Sequence, residues 1–337
     1  MPDTLKLVEP RQPSRPPRAT TGARELVGRS PAVARVQELL KRVSTVDGGV
    51  LLVAEAGADV ESVARELHER RGASRPFVAV ACGAVEPFDL DRLLFGAVDP
   101  VASDVETVSA DSRIGAAMGG TLFLCDVADI PSAVQAKLAR VVRDAEVRLD
   151  GKTVGTSIRF VASAAPGIDG EVQAHRFRSD LYRRLATWRI DLPPLRDRAD
   201  DVPLLAVRLV EDVCAAHGIE RRTFTEAALA LLAALTWPGN LEELAGVVER
   251  VAAEATRAVI QIEDLLPALK LDRAPTRFTP VGNLREARLR FERDYIAAVL
   301  QHHDWRMADA AQTLGIQRPN LYRKARQLGI PVARLSE

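Results

Sequence analysis

The sequence predicts an α/β fold, a doubly wound parallel sheet with an α-helical lid, followed by a small all-α unit. Three observations carry this reading. Four short apolar runs, "GVLLVA" (49–54), "FVAVAC" (77–82), "GTLFLCD" (120–126) and "IRFVASA" (158–164), suit strands buried on both faces of a parallel sheet. Helical segments such as "VESVARELHER" and "SAVQAKLARVVRD" lie between them, and alternating β and α units build such a sheet. From about Asp200 the strands are expected to stop: "DDVPLLAVRLVEDVCAAHG", "TEAALALLAALTW" and "NLEELAGVVERVAAEA" read as amphipathic helices of an all-α subdomain.

The elements follow in order. Residues 1–24 carry Pro2, Pro10, Pro13, Pro16 and Pro17 with no periodic apolar face, and read as a disordered tail. Order begins at the α/β subdomain, 25–199, where Ser30-Pro31 resembles an N-cap followed by proline at the first helical position. Val33, Val36, Leu39, Leu40 and Val43 then recur at helical spacing. The helical lid spans 200–269. The stretch 270–283, with two prolines and no periodicity, reads as a linker, and 284–331 as a last helical unit.

Bulk composition excludes several classes. A chain of 337 residues with 47% hydrophobic and 27% charged residues is an ordinary globular composition, long enough for a substantial core. Its formal net charge of zero gives no global signal for nucleic acid. Cys82, Cys125 and Cys214 are far apart without metal-ligand spacing, so reduced thiols in a cytoplasmic protein are expected, and no metal. No apolar run approaches the ~18 residues that span a bilayer, so no membrane partner is expected. Only the tail precedes the α/β subdomain, so no upstream sensing domain is expected, and any signal would arrive through a partner, a modification or expression level.

The C-terminal unit divides into three helices, about 284–302, "MADAAQTLG" and "RPNLYRKARQL". Between the last two lies a short turn containing Gly315, as a helix-turn-helix requires. Ala311 lets the helices approach, Leu321 closes their core, and Pro319 falls in the first turn where its missing N–H costs little. The third helix is expected to present Gln317, Arg318, Asn320, Tyr322, Arg323, Lys324 and Arg326 outward. From Gly315 onward Arg318, Arg323, Lys324, Arg326 and Arg334 face one acid, Glu337, in a neutral chain. Arg318 and Asn320 suit base edges; Arg323, Lys324 and Arg326 suit phosphates. The alternative is a solvated helical hairpin with a basic face. Double-stranded DNA is the expected partner, bound by at least a homodimer over half-sites about one helical turn, or a multiple, apart.

The α/β and lid regions resemble the AAA+ domains of sigma-54-dependent transcription activators (bacterial enhancer-binding proteins). The resemblance runs from Leu26 to Ile330 on "VGRSP", "PFVAVACGA", "LLFG", "GGTLFL", "VQAKLARVV", "FRSDLYRRL", "LPPLRDRADDVPLLA" and "WPGNLEEL", in family order and spacing. The C-terminal "GIQRPNLYRKARQLGI" resembles the family's Fis-type helix-turn-helix.

The departures from the family pattern fall on its chemistry. In "LLVAEAGADVESVAREL", where the family carries a Gly-rich phosphate loop ending in Gly-Lys-Glu, Gly57 is kept. Val60 then stands at the lysine, Asp59 at the glycine before it, Ala54 at the first glycine, and Glu61 follows. Asp-Glu after "GGTLFL" becomes Cys125-Asp126, the polar sensor becomes Ala164, and the lid's sensor arginine becomes Glu242. The Gly-Ala-Phe-Thr-Gly-Ala loop that meets the sigma factor is replaced by "AVDPVASDVETVSADSR". The resemblance therefore implies an inactive ATPase-like module with no catalytic residue and no cofactor, the alternative being ATP or ADP bound without hydrolysis. Arg178 and Arg184 stand where the family's arginines reach a neighbouring subunit's nucleotide; an ion pair of Arg178 with Asp180 is the structural alternative. Three readings remain: a DNA-binding regulator with a vestigial AAA+ module, a working ATPase activator, and a modulator of an intact AAA+ activator.

Overall fold

The computed structural model describes residues 26–97, 105–269 and, beyond them, 293, 296, 300, 305–307, 310, 311, 314 and 318–328. Contacts divide the chain at Leu269, so residues up to it and those after it form separate units. The expected tail, 1–24, lies outside the described residues, as do the linker and the start of the replaced sigma-contact loop (98–104).

The first unit opens with helix α1, Pro31–Ser44, capped as the sequence predicts: the Ser30 hydroxyl accepts from the Val33 N–H at 3.3 Å and Pro31 takes the first turn. Val33, Val36, Leu40 and Val43 are buried, whereas Leu39 faces solvent. Strand β1 (Val50–Val53) leads into α2 (Val60–Gly72), and β2 (Phe77–Ala81) into α3 (Pro87–Phe95). After β3 (Thr107–Val108) and α4 (Arg113–Ala116) come β4 (Thr121–Cys125), α5 (Ser132–Asp144), β5 (Glu146–Leu149) and β6 (Lys152–Gly155). Strand β7 (Arg159–Ala164), α6 (Ile168–Gln173), α7 (Ser179–Leu185) and β8 (Trp188–Asp191) complete the α/β part.

The main sheet has the order β2-β4-β7-β1-β8, all pairs parallel. Successive residues of β1 serve opposite faces. Leu51 and Val53 pack into a core with Leu138 and Leu185, and Val50 and Leu52 into another with Leu40 and Leu67. Each such side chain removed from water contributes about 1.5–3 kcal/mol, which is why unbroken apolar runs mark these strands. A second sheet, β3-β5-β6, is an addition the apolar pattern did not announce.

The lid comprises α8 (Val202–His217), β9 (Thr223–Phe224), α9 (Glu226–Ala234), α10 (Asn240–Glu254), β10 (Val259–Ile260) and α11 (Ile262–Leu265). The expectation that strands stop near Asp200 is corrected here: β9 and β10 pair in parallel and tie the two ends of the α9–α10 hairpin together. Leu205, Val210, Leu232, Trp237, Leu244 and Val248 form the lid core.

In the second unit Ile296, Leu300, Met307, Ala310, Ala311, Leu321 and Ala325 share one core. Its last described helix, α12, runs Arg318–Gln327. Leu321 and Ala325, one turn apart, are fully buried, and Ala311 sits against them as expected. Gly315, the expected turn residue, lies outside the described residues.

Candidate nucleotide cleft and nucleic-acid interface

The sheet register brings the altered positions to one edge. Val53 pairs with Ala164, and Leu124 with Ala162, so the ends of β1, β4 and β7 lie side by side at the carboxyl edge, where open α/β sheets bind ligands. The loop 54–59 leaves β1 there; the Ala54 N–H donates to the Ala164 carbonyl at 3.1 Å.

The loop closes on itself. Asp59 is the N-cap of α2, and its carboxylate accepts from the Ser62 N–H at 3.1 Å. Burial pushes this carboxyl above the usual carboxylate range, against the pull of Ser62 and the nearby Arg198. Val60, at the first helical position, offers no charge, and Glu61 is paired with Arg65 at 2.6 Å. Arg198 is buried, with its Nε unpartnered by any hydrogen bond, and desolvation lowers its pKa while Asp201 and Asp59 oppose that shift. Asp59, Ser62 and Arg198 line a cavity of about 30 Å³ with Leu26, Val27, Ala58 and Leu192. That is room for a water or two; sites for whole organic ligands run to ~300–1,000 Å³.

Beside the loop, Asp126 adopts a left-handed backbone (φ 57°), and its N–H donates to the Ser163 hydroxyl at 3.0 Å. The Cys125 thiol lies 3.5 Å from both the Ser163 hydroxyl and the Asp126 carboxylate. Burial pushes that thiol up to about 12, so it stays protonated near neutrality. Burial likewise raises Asp126. Ala164 is buried and brings no polar atom. From the lid, Glu242 is exposed, and its N–H donates to the Gly57 carbonyl at 3.0 Å. No group of three or more His, Cys, Asp or Glu side chains among the described residues could hold a metal ion. The set is a poor match for ATP·Mg²⁺: Val60 brings no cation to the loop, Arg196 is already paired with Glu55, and the Asp59 carboxyl already caps the helix N-terminus.

Arg178 is held by Asp180 through two hydrogen bonds of 3.0 and 2.8 Å, the ion pair that the sequence left as an alternative. Arg184 is exposed; the Arg143 hydrogen bond holds the Asp144 carboxyl below its usual range, with Arg184 a lesser charge nearby. Arg196, Arg198, Asn240 and Ser163 belong to the cleft but were not singled out in the sequence. Arg196 and Asn240 meet partners far away along the chain, and only the RDR and GN runs themselves were there to mark them.

On α12, Arg318, Asn320, Tyr322 and Arg323 are exposed and Lys324 is half-buried. The Arg318 guanidinium lies 5.9 Å from the centre of the Tyr322 ring, and Arg323 donates to the Asn320 side chain at 3.4 Å. The helix has no acid in its first turn. Its buried residues are Leu321 and Ala325; Arg323 lies on the opposite face, and Arg318, Asn320 and Tyr322 stay exposed around the buried pair. Gln317 and the Arg326 side chain lie outside the described residues. No described helix is long and apolar enough to cross a membrane.

Comparison with known proteins agrees with this division. The Sigma-54 interaction domain matches residues 26–191, the AAA+ ATPase lid domain 196–279, and the bacterial regulatory protein, Fis family, 288–328. The chain is 30% identical to the nitrogen assimilation regulatory protein NtrX of Azorhizobium caulinodans, covering 97% of this chain and 73% of that one. Solved structures of NtrX from Brucella abortus in complex with ADP and with ATP match at 30% and 32% identity with TM-scores of 0.65 and 0.64. They cover 92% and 90% of this chain and 70% of each of theirs. An α/β core with a helical lid and a basic terminal helix is thus shared with these regulators, and the chain belongs to the family of sigma-54-dependent transcriptional regulators with a Fis-type helix-turn-helix.

Proposed function

We propose that the chain is a sequence-specific DNA-binding regulator whose AAA+ module neither hydrolyses ATP nor opens a sigma-54 promoter complex. The observation that carries the reading is the pair at the start of α2: Val60 in place of a lysine, and the Asp59 carboxylate on the Ser62 N–H. Each hydrogen bond to a charged group is worth about 1.5–3 kcal/mol, so removing the ammonium and adding a carboxylate costs several such contacts. The protonated Cys125 thiol is a soft, neutral ligand and a poor one for Mg²⁺. Asp126, one methylene shorter than glutamate, is turned by its left-handed backbone and tied to Ser163.

DNA is read by α12, with Arg318 and Asn320 at base edges and Arg323, Lys324 and Arg326 on phosphates. The chain acts in the cytoplasm as a dimer or larger homo-oligomer, since a lone module of this size grips too little DNA. A titration with a fluorescent ATP analogue, with and without Mg²⁺, tests the reading. No saturable Mg²⁺-dependent binding is expected; tight binding that requires Mg²⁺ would refute it.

A second reading keeps ATP or ADP bound without hydrolysis, favoured by the ADP and ATP complexes of NtrX. Binding equal with and without Mg²⁺, and no phosphate release, would select it. Exposed Arg184 also favours hetero-oligomers with an intact AAA+ activator, in which this chain supplies arginines to its partner's nucleotide. Mixing the two should then change the partner's ATPase rate, and Arg178→Ala or Arg184→Ala should abolish the change.

A further inference from the structure

The loop after β1 and the lid meet with nothing between them. A Cβ built on Gly57 (φ 77°) would lie 2.1 Å from the Gly239 carbonyl oxygen, so backbone rests on backbone and only glycine fits. Three further links join the loop to the lid and to residues 195–196, which lead into it. The Glu242 N–H donates to the Gly57 carbonyl at 3.0 Å. The Asn240 side-chain amide donates to the Ala56 carbonyl at 2.9 Å and accepts from the Leu195 N–H at 2.8 Å. Arg196 holds Glu55 by two contacts of 2.6 Å.

The lid side of this junction is stiff. Trp237 and Asn240 both have φ of 49°, a region that non-glycine residues enter only when their surroundings enforce it. Both are buried, and the Trp237 indole donates to the Leu232 carbonyl at 2.8 Å. On the other side of the loop, the Asp59 carboxyl caps the first turn of α2, accepting from the Ser62 N–H.

We propose that the cleft is self-closed: the lid is fastened to the loop by the chain's own groups, and the Asp59 carboxyl already caps α2, so lid closure needs no nucleotide. This rests on the reading that the module does not turn over ATP, and says what holds the two parts together in its place. A triphosphate entering here would have to displace Asp59 and part the loop from Gly239, Asn240 and Glu242. A ligand bridging two parts stabilises their closed state by its affinity for that state. Here the bridge is covalently part of the chain and always present.

Amide hydrogen exchange on the full chain tests this in the segments 54–62 and 239–246. Without nucleotide both should already be protected, and millimolar ATP or ADP with Mg²⁺ should leave their rates unchanged. Glu55→Arg should raise exchange in both segments about three-fold, Arg196→Glu should do the same, and the double exchange of charge should return them to the original rates. Arg196 is exposed and Glu55 only half-buried, so each variant should fold; circular dichroism checks that. Protection that appears only when nucleotide is added would overturn the proposal, as would a double variant that stays as labile as the single ones. Phosphate release, measured on the same samples, separates the two ideas. Nucleotide-dependent protection without turnover defeats self-closure alone, whereas turnover defeats the reading beneath it.

Discussion

The cleft between β1 and the lid and the exposed side of α12 differ in how shape and charge combine. On α12 shape and charge agree: Leu321 and Ala325 anchor the helix, while Arg318, Asn320, Tyr322 and Arg323 are exposed. At the cleft the strand, the Gly57 turn and α2 are all in place, and on the function proposed above Asp59 and Val60 stand where a triphosphate would need donors and a cation. The difference shows which residues hold which property. Fold is carried by buried apolar positions spread over many elements, so it survives local exchange. Ligand chemistry rests on a few polar side chains, and replacing them leaves the frame standing.

Four experiments would break or sharpen that contrast. Leu321→Ala should have the largest effect. It empties a fully buried site in a small core, at about 2–5 kcal/mol, which is comparable to the whole stability of so small a unit. Calorimetry should show the second unit's transition lost, DNA binding gone, and the first unit's transition unmoved. If both transitions shift together, the two units are not independent.

Next comes Asn240→Ala in the cleft. It strands the Leu195 N–H and the Ala56 carbonyl and leaves alanine in a left-handed conformation, for about 2–3 kcal/mol by denaturant unfolding. A cost near zero would mean that the loop and lid are not joined as described.

On the DNA side, Arg318→Ala should cost about 1–3 kcal/mol on the cognate site and relax base preference. Arg323→Ala should weaken all sequences evenly and flatten the salt dependence by about one phosphate contact. Equal behaviour of the two variants in fluorescence anisotropy across salt would remove the division of labour on α12.

The smallest effect is expected at Asp59. Burial raises its folded-state pKa, so the folded protein keeps the proton above the unfolded value. Its contribution to stability is then highest below that value and declines as pH rises through the folded pKa. Asp59→Asn caps a helix equally well without the charge. The variant should be more stable than the parent near neutrality, with the gap closing toward about pH 4 and below. A gap that widens in acid would show that the carboxylate is favourably bound instead.

How far the sequence went follows from the same physics. Buried parallel strands were legible because both faces demand apolar side chains, as in β1, β4 and β7. The Ser30-Pro31 start of α1 and the 132–144 helix were legible from local capping and period. Strands β5, β6 and β8 escaped because they are half-exposed and carry charges such as Arg148, Lys152 and Arg189. The Asp150-Gly151 turn, with φ of 48° and 79°, was the one local signal of the β5–β6 hairpin. Strands β9 and β10, two residues each, are too short to show any period. In the cleft the replacements at 59, 60, 125, 164 and 242 could be read against the family pattern. What took their place could not, because Glu55 meets Arg196 across 141 residues and Asn240 meets Ala56 across 184.

The most direct test of the whole account is steady-state release of inorganic phosphate by the purified full chain with ATP and Mg²⁺, alone and with cognate DNA. The account predicts no release above that of a boiled sample, in the parent and in Asp126→Ala alike. Sustained release that Asp126→Ala abolishes would contradict it.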